Sequence, residues 1–357
     1  MSWRICSSTR DRRVQKIAVA ILNWNGRHYL EKFLPSVVQH SRDHAEVWII
    51  DNGSTDDSLE LLRTQFPEVK IHENKKNYGF AQGYNEGLKH IQADIYVLLN
   101  SDVEVTANWI PPVVEYMESS DLTACQPKIL DYNKKEWFEH AGATGGFIDK
   151  YGFVFCAGRI FDGFEKDEGQ YDENKEVFWA SGASLFIRAE KYHLVGGLDE
   201  DFFAHMEEID LCWRLKNRGY KIGACGKSVV YHVGGGTLDK LNPFKTFLNF
   251  RNNLFILVKN YHYGSLFMLI MKRLVLDGIA GMRFLTEGKL SYTLAVLKAH
   301  GSFYAHLGGM RKKRKDIRSR ITEPNRVGWY ESSIIVDYYF KKKAHFTELD
   351  RTDFPHS

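Results

Sequence analysis

Short apolar runs and stretches of helical periodicity alternate along the first hundred residues. Residues 17–22, 47–50, 69–72 and 95–99 predict four strands, and the first of these is apolar throughout, as in a strand buried on both faces. In the segments between these strands, apolar residues recur at helical spacing, and the third predicted helix is 81–91. Strands that alternate with helices predict an α/β fold with a doubly wound, mostly parallel sheet flanked by helices.

Polar side chains follow three of the predicted strands at the point where each strand ends. Asn23 and Asn25 follow the first strand, Asp51 follows the second, and residues 100–102 follow the fourth. Ligands of such sheets bind beyond the carboxyl ends of the strands. Each polar residue has an alternative role as a helix cap or turn residue. Their joint occurrence favours a ligand site at this edge.

The pattern changes after Gly236, where long helices replace the alternation. Asn242 and Pro243 predict a helix start. Over 265–285 charged residues share one helical face, and the other face carries Phe267, Met271, Leu274, Val275 and Met282. With the basic run at 311–320, this amphipathic pattern is typical of a protein on an anionic membrane surface. Two alternatives are core-facing helices with a solvated basic tail, and a homo-oligomer that covers the apolar face.

Composition narrows the class of protein. A chain of 357 residues, 44% of them hydrophobic, is long enough for a large domain and an extension. The net charge of +3 predicts no nucleic-acid partner. The five cysteines form no CxxC pair, which favours reduced thiols in the cytoplasm. Residues 1–16 are polar and basic, unlike a secretion signal, and no window of about 18 apolar residues occurs. We therefore expect a cytoplasmic protein, either free or peripheral on the inner face of the cell membrane.

Seven segments, in order, resemble the family 2 glycosyltransferases, which are inverting nucleotide-sugar transferases of the GT-A fold. The resemblance is greatest to their bacterial rhamnosyltransferase-like branch. The segments are AILNWNG (20–26), IIDNGSTDDS (49–58), ENKKNYGFAQGYNEGL (73–88), LLNSDVEV (98–105), ASGASLFIR (180–188), GGLDEDFFAHMEEIDLCWRLKNRGY (196–220) and VVYHVGG (229–235). The resemblance extends to NFRNNLF (249–255). It implies a GT-A domain over 16–240 and a helical, amphipathic and basic extension over 241–357.

The resemblance implies where a nucleotide binds. Asp51 corresponds to a carboxylate that contacts uracil or thymine, and an acceptor-only group suits the N3–H of such a ring. Its alternative role is to cap the helix after Gly53. The loop that begins at Asn77 resembles one that packs over nucleotide and sugar, or it is a plain glycine-rich turn. The implied nucleotide-binding set is Asn23, Trp24, Asn25, Asp51, Asn77, Gly79, Phe80, Gly83, Asn100 and Ser101.

The resemblance also implies a metal site. Residues 100–102 occupy the place of the DxD motif of the family, where a divalent cation, Mg²⁺ or Mn²⁺, bridges the phosphates of the donor. Asp102 supplies the carboxylate, and Asn100, where many relatives carry aspartate, offers an amide to the ribose or sugar. The alternative for this stretch is an Asx-turn. His232 corresponds to a histidine that completes the metal site or contacts the diphosphate, and its alternative role is structural.

A second group of residues corresponds to the catalytic site of the family. Glu208 matches the catalytic aspartate and is the predicted general base, with Glu207 as the runner-up or as the group that orients the acceptor. Asp210 and Arg214 are expected to form an ion pair on a helix face. The loop where sugar and acceptor meet is represented by Trp179, Ser181 and Gly182. An alternative role for Trp179, as well supported by the sequence, is that of a core residue.

The resemblance therefore implies an enzyme. The expected reaction is metal-dependent, inverting transfer of a hexosyl or rhamnosyl group from a UDP- or dTDP-sugar. The acceptor is a carbohydrate or a lipid-linked glycan in cell-surface polysaccharide synthesis. Because Asn100 and Glu208 depart from the family pattern, an alternative stays open. This is a non-catalytic nucleotide-binding relative that acts as a partner in a membrane-associated glycan assembly complex.

Overall fold

The computed structural model describes residues 15–139, 142–234 and 242–356. Most of the N-terminal segment and the predicted domain boundary at residue 240 lie outside the described residues. The strands are β1 Ile17–Asn23, β2 Glu46–Asp51, β3 Lys70–Glu73, β4 Ile95–Leu99, β5 Val103–Val105, β6 Leu122–Asp131, β7 Gly146–Asp149, β8 Val154–Cys156, β9 Arg159–Ile160, β10 Gly163–Phe164, β11 Lys175–Glu176, β12 Ser184–Arg188, β13 Lys221–His232 and β14 Trp329–Tyr330. The α-helices are α1 Arg27–Ser41, α2 Ser58–Gln65, α3 Gly79–Leu88, α4 Pro111–Ser119, α5 Ala189–Leu194, α6 Glu207–Lys216, α7 Pro243–Asn260, α8 Leu266–Thr286, α9 Leu290–Ser319 and α10 Ile334–Tyr339.

A mixed central sheet forms the core, in the order β11-β13-β6-β12-β4-β1-β2-β3, with β5 paired to β13. Parallel pairing joins β1 to both β2 and β4, and β2 to β3. The predicted α/β fold with helices on both faces is confirmed, and β4 has the predicted bounds. The sheet is less parallel than predicted, because β12 runs antiparallel to both of its neighbours, β4 and β6.

Buried apolar faces explain why the first half of the sheet was predictable. All five residues of β4 are buried, as are six of the seven residues of β1. Helix α1 turns Leu30, Phe33, Leu34 and Val37 to the sheet, at spacings of three and four residues. The carboxyl ends of β1, β2 and β4 consequently meet at one edge.

A second, smaller sheet has the order β10-β9-β8-β7-β14. Its last strand comes from the C-terminal part of the chain and pairs in parallel with β7, Trp329 opposite Ile148. Ile334 N–H donates to the buried Asp149 carboxylate at 3.0 Å. The division of the chain at residue 240 stays a prediction, and segments from its two sides share this sheet.

Helix α7 begins as the sequence predicts. Asn242 is the N-cap, its side chain accepts from Phe244 N–H at 2.8 Å, and Pro243 opens the helix. Helices α7, α8 and α9 then pack against one another. In the described residues, no helix has the length and apolar composition needed to cross a bilayer.

The charged residues of these helices are not all at the surface. The expected ion pair between Asp210 and Arg214 on helix α6 is present, with Arg214 Nε 2.8 Å from Asp210 Oδ2, and it is buried instead of lying at the surface. Lys259 from α7 also contacts Asp210 at 2.8 Å. Lys313, within the basic run, pairs with Asp199 at 2.5 Å. Lys259 also pairs with Asp199, so these contacts join α6, α7 and α9 through charges that compensate one another.

Candidate active site

A cleft of about 1840 Å³ opens at the carboxyl edge of the central sheet. It brings together most of the residues that the sequence singles out. These are Trp24, Asn25, Asn77, Gly79, Phe80, Asn100, Ser101, Asp102, Trp179, Ser181, Gly182, Glu207, Glu208 and His232. Asn23, Asp51 and Gly83 are buried and are not among the residues that line it.

Asp51 makes the contacts of a turn residue. Its Oδ1 accepts from Ser54 N–H at 2.9 Å, and its Oδ2 accepts from Asn23 Nδ2 at 3.1 Å. Both Asp51 and Asn23 are buried where β1 and β2 end side by side. These contacts support the turn alternative for Asp51, and its role toward a pyrimidine stays a prediction.

Asn52 organises the loop over the cleft, and the sequence analysis missed it. Its Nδ2 donates to Asn77 Oδ1 at 3.0 Å and to Gly79 O at 3.1 Å, and its Oδ1 accepts from Tyr78 N–H at 3.2 Å. A Cβ on Gly83 would lie 3.0 Å from Asn52 Nδ2, so Gly83 allows close packing of α3. The only signal for Asn52 was its place directly after Asp51.

Asp102 and His232, the two predicted metal ligands, lie side by side, Asp102 just after β4 and His232 at the end of β13. Asp102 Oδ1 lies 3.2 Å from His232 Nε2, and Glu139 Oε2 lies 3.3 Å from His232 Nδ1. Burial lowers the pKa of His232, but the carboxylates of Glu139 and Asp102 outweigh burial and raise it to about 10. Asn100 Nδ2 lies 3.4 Å from the same Nε2. Glu139 belongs to no recognised motif, so nothing in the sequence marks it as a site residue.

The side chains at this site suit a cation that takes one or two ligands from the protein and the others from a substrate. Among the described residues, no group of three or more His, Cys, Asp or Glu side chains is arranged to hold a metal ion. Mg²⁺ commonly binds through one or two carboxylates and takes its other ligands from phosphate and water. Asp102 and the Nε2 of His232 fit that pattern once the imidazole is neutral. Glu139 contacts the other ring nitrogen and so orients the ring.

Glu207 and Glu208 open helix α6 and face the cleft. In each, Oε2 has no hydrogen-bond partner among the described residues. Burial raises the pKa of Glu208 to about 7, and burial together with the nearby Glu208 carboxylate raises the pKa of Glu207. A Cβ on Gly182 would lie 3.6 Å from Glu208 Cβ, so Gly182 flanks the predicted base. A carboxylate of this pKa is suited to accept a proton near neutral pH.

A strained loop leads into these glutamates. Phe203, His205 and Met206 have φ values of 65°, 66° and 74°, which non-glycine residues rarely adopt. The buried Asn252 of α7 holds the loop, because its Nδ2 donates to the carbonyl oxygens of Ala204 at 2.9 Å and His205 at 2.7 Å.

Arg251 completes this clamp. Its Nη2 donates to Phe202 O at 2.9 Å, and its Nε donates to Asn252 Oδ1 at 2.9 Å. The sequence analysis noted the segment NFRNNLF (249–255) as part of the resemblance but assigned no role to Arg251 or Asn252.

The remaining predicted residues are built into the cleft wall. Trp179 is buried, and its Nε1 donates to Phe147 O at 3.0 Å, which supports its alternative as a core residue. Ser181 is buried, and its Oγ accepts from Ala183 N–H at 3.2 Å. Trp24 is the exposed aromatic side chain among the predicted residues, with 49% of its surface accessible at the rim.

The chain is similar in sequence to known glycosyltransferases. Residues 18–189 match the sequence model of glycosyl transferase family 2. Low-salt glycan biosynthesis hexosyltransferase Agl10 of Haloferax volcanii is 22% identical over 292 residues, which is 77% of this chain and 87% of that protein. N-acetylglucosaminyl-diphospho-decaprenol L-rhamnosyltransferase of Mycobacterium tuberculosis is 24% identical over 255 residues, 62% of this chain and 77% of that protein.

Two solved structures share the fold. The crystal structure of GalNAc-T7 with UDP, GalNAc and Mn²⁺ superposes with a TM-score of 0.58 and 17% identity, over 86% of this chain and 55% of that chain. Mannosyltransferase PcManGT from Pyrobaculum calidifontis, in complex with GDP-Man and Mn²⁺, gives a TM-score of 0.51 and 13% identity, over 93% of this chain and 89% of that chain. Residues 18–189 are therefore similar in sequence to glycosyl transferase family 2, and the chain has the GT-A fold.

Proposed function

We propose that this glycosyltransferase is an inverting enzyme that moves a hexosyl or rhamnosyl group from a UDP- or dTDP-sugar. The acceptor we propose is a hydroxyl of a carbohydrate or lipid-linked glycan in cell-surface polysaccharide synthesis. One observation carries the proposal. Glu208, a carboxyl group with a raised pKa and a free oxygen, lines the same cleft as the Asp102–His232 pair.

Each group has a distinct task in this reaction. Glu208 takes the proton of the acceptor hydroxyl as that hydroxyl attacks the anomeric carbon on the face opposite the leaving group. Glu207 lies beside Glu208 and orients the acceptor. Asp102 and His232 would hold Mg²⁺ or Mn²⁺, which as a Lewis acid stabilises the charge on the departing diphosphate. Glu139 fixes the orientation of the His232 ring.

The nucleotide is proposed to lie between the exposed Trp24 and the loop of Asn77, Gly79 and Phe80. Asn100 and Ser101 are proposed to contact its ribose or sugar. Asp51 and Asn23 act from beneath this part of the cleft, where a base that displaces the Ser54 N–H contact would reach the carboxylate. Gly83 contributes packing under the loop.

The protein is proposed to work in the cytoplasm at the inner face of the cell membrane. Helix α8 supports this, since Phe267, Met268 and Met282 are exposed apolar side chains. The basic run contributes less than its sequence suggests, because Lys313 and Arg314 contact the protein itself. A homo-oligomer that covers α8 is the competing arrangement.

The proposal is tested by thermal unfolding with nucleotides. UDP or dTDP with Mn²⁺ is expected to stabilise the protein, by about 2.7 kcal/mol at 100 times the Kd. ADP and GDP are expected to shift the unfolding midpoint little. Equal shifts with ADP would refute the pyrimidine assignment. UDP stabilisation without any transfer or hydrolysis of a sugar donor would favour the non-catalytic relative.

A further inference from the structure

The cleft continues past Glu208 into an apolar groove between α8 and α10. We define this α8–α10 groove by six residues whose side chains are between 38% and 78% exposed. They are Met271, Val275, Ile279, Val336, Tyr339 and Phe340. The same continuous cavity contains Glu208 and Asp102, so a molecule that fills the groove has direct access to the proposed base.

Helix α8 is held with its apolar side outward by polar contacts on its inner side. Its buried residues recur every fourth position, at Leu269, Arg273, Asp277 and Gly281. The Arg273 guanidinium lies 3.6 Å from the centre of the Phe153 ring and 3.1 Å from Asp277 Oδ1. This buried ion pair sets the rotation of the helix and leaves 271, 275 and 279 exposed; these three residues line the cavity, as do Arg273 and Asp277 themselves. The groove follows α8 for about 20 Å, at 1.5 Å per residue from 271 to 284.

Charged groups lie along the same stretch of the groove. Lys272 and Arg283 line it, and Arg283 Nη1 donates to the hydroxyl of Tyr339 at 3.1 Å. Methionine, valine and isoleucine side chains form no hydrogen bonds with sugar hydroxyls, so a glycan would gain nothing from them. A hydrocarbon chain removes their surface from water, which is favourable in proportion to the area covered.

We propose that the α8–α10 groove binds the hydrocarbon chain of a lipid acceptor and directs the polar end of that lipid toward Glu208. This inference rests on the proposed function and selects one of its two acceptor classes. A bilayer or a second copy of the chain would cover the wider apolar face, including Leu290 and Leu297 of α9. These two side chains are exposed but do not line the cavity. Continuity with the proposed catalytic carboxylates favours a single chain.

The test uses the full-length protein and farnesyl phosphate, a 15-carbon prenyl phosphate, below its critical micelle concentration. Calorimetry is expected to show saturable binding, and excess inorganic phosphate is expected to leave most of it intact. Ile279→Glu and Val336→Glu should each weaken binding at least about tenfold, since the lipid would have to desolvate a carboxylate. Leu297→Glu, an equally drastic change at an exposed apolar residue of α9 outside the groove, should alter the Kd less than about twofold.

Several results would overturn the proposal that the α8–α10 groove binds a lipid chain. These are a lack of saturable binding, an equal loss of affinity in Leu297→Glu, or a wild-type dimer in size-exclusion chromatography that Ile279→Glu converts to a monomer. UDP with Mn²⁺ is measured on every variant by thermal unfolding. If UDP fails to stabilise the wild type while farnesyl phosphate binds as expected, the proposed function is wrong. Lipid binding in the α8–α10 groove is then still supported. If UDP stabilises every variant and the lipid does not bind, the groove alone is wrong.

Discussion

At the scale of single residues, Glu208 carries the most specific expectation. Glu208→Gln keeps size and hydrogen-bonding capacity but accepts no proton, so turnover should fall at least about 100-fold. Affinity for UDP, measured separately by calorimetry, should stay the same. Glu207→Gln is the matched control, because it changes the adjacent carboxylate of the same helix turn. If Glu207→Gln abolishes turnover and Glu208→Gln does not, the two roles are exchanged.

The raised pKa of Glu208 predicts a pH dependence whose direction differs for rate and stability. The rate should rise with pH through about 7 as the base loses its proton, and Glu208→Gln should remove that rise. Between the ordinary carboxyl pKa and 7, the folded state holds the proton more firmly than the unfolded state, so this group lowers stability as pH increases. Above pH 7, Glu208→Gln should therefore unfold at a temperature no lower than the wild type. A lower midpoint would contradict the buried-carboxylate account.

Asp51 permits a test between its two roles. Asp51→Asn keeps an oxygen that accepts from Ser54 N–H, so the turn should persist and the unfolding midpoint should change little. The amide is neutral, so the hydrogen bond that it accepts from the N3–H of the base is weaker than one accepted by a carboxylate, and affinity for UDP should fall about tenfold or more. Unchanged UDP affinity would assign Asp51 to the turn alone.

The sequence identified the residues that end strands and missed those that act through distant partners. Asn100 to Asp102 stood out because polar groups interrupt an apolar run. Glu139 and Asn252 did not stand out, because each matters only through a contact with a remote segment, His232 and the 202–206 loop. Asn85 shows the same limit, since its Nδ2 donates to Leu198 O in a distant segment at 2.7 Å.

At the scale of elements, the clamp between α7 and the 202–206 loop is the testable feature. Asn252→Ala removes donors to several buried carbonyl groups at a cost of about 1–3 kcal/mol. Amides of residues 203–208 should then exchange hydrogen for deuterium roughly 10- to 100-fold faster. Asn217→Ala is the control, because it removes a buried amide that donates to Asn260 O elsewhere. Equal acceleration in both variants would indicate general destabilisation instead of a local clamp.

Element prediction succeeded where burial is continuous and failed where it is not. Strand β4 is buried along its length and was located to the residue, whereas β9 and β10 are two residues each and have no periodicity to read. Helix α8 showed its amphipathic contrast in the sequence. The inward side of α8 is set by its contact with Phe153 and by the contact between Asp277 Oδ2 and His300 Nε2 at 3.3 Å. Neither contact can be predicted from the spacing of apolar residues.

At the scale of the whole molecule, vesicle binding should depend on the exposed part of the basic run. Arg311, Lys312 and Lys315 are exposed, and each should contribute about 1 kcal/mol on an anionic surface. Their joint replacement by alanine should abolish flotation with anionic vesicles at low salt and leave the unfolding midpoint unchanged. Flotation that ignores both lipid charge and salt would contradict this electrostatic contribution.

Lys313→Ala is the matched single change inside the same run. Lys313 pairs with Asp199, whose pKa the charges of Lys259 and Lys313 hold below its usual range against the effect of burial. Its loss should cost about 1 kcal/mol of stability, a modest figure because the lysine is partly exposed. That difference is present above the ordinary carboxyl pKa and should disappear as pH falls through the lowered pKa of Asp199.

The return of β14 to the second sheet has a consequence for synthesis on the ribosome. Ile148 pairs with Trp329, and Glu165 Oε1 accepts from Phe346 N–H at 2.9 Å, so these two contacts form only after residues 329–346 have been translated. Contacts between such distant segments form late, and the exposed edge of β7 is open to wrong partners in the meantime. The nascent protein therefore depends on residues made much later, from 329 onward, to complete a sheet begun at residue 146. Chains whose synthesis stalls before residue 329 should be the ones that chaperones retain.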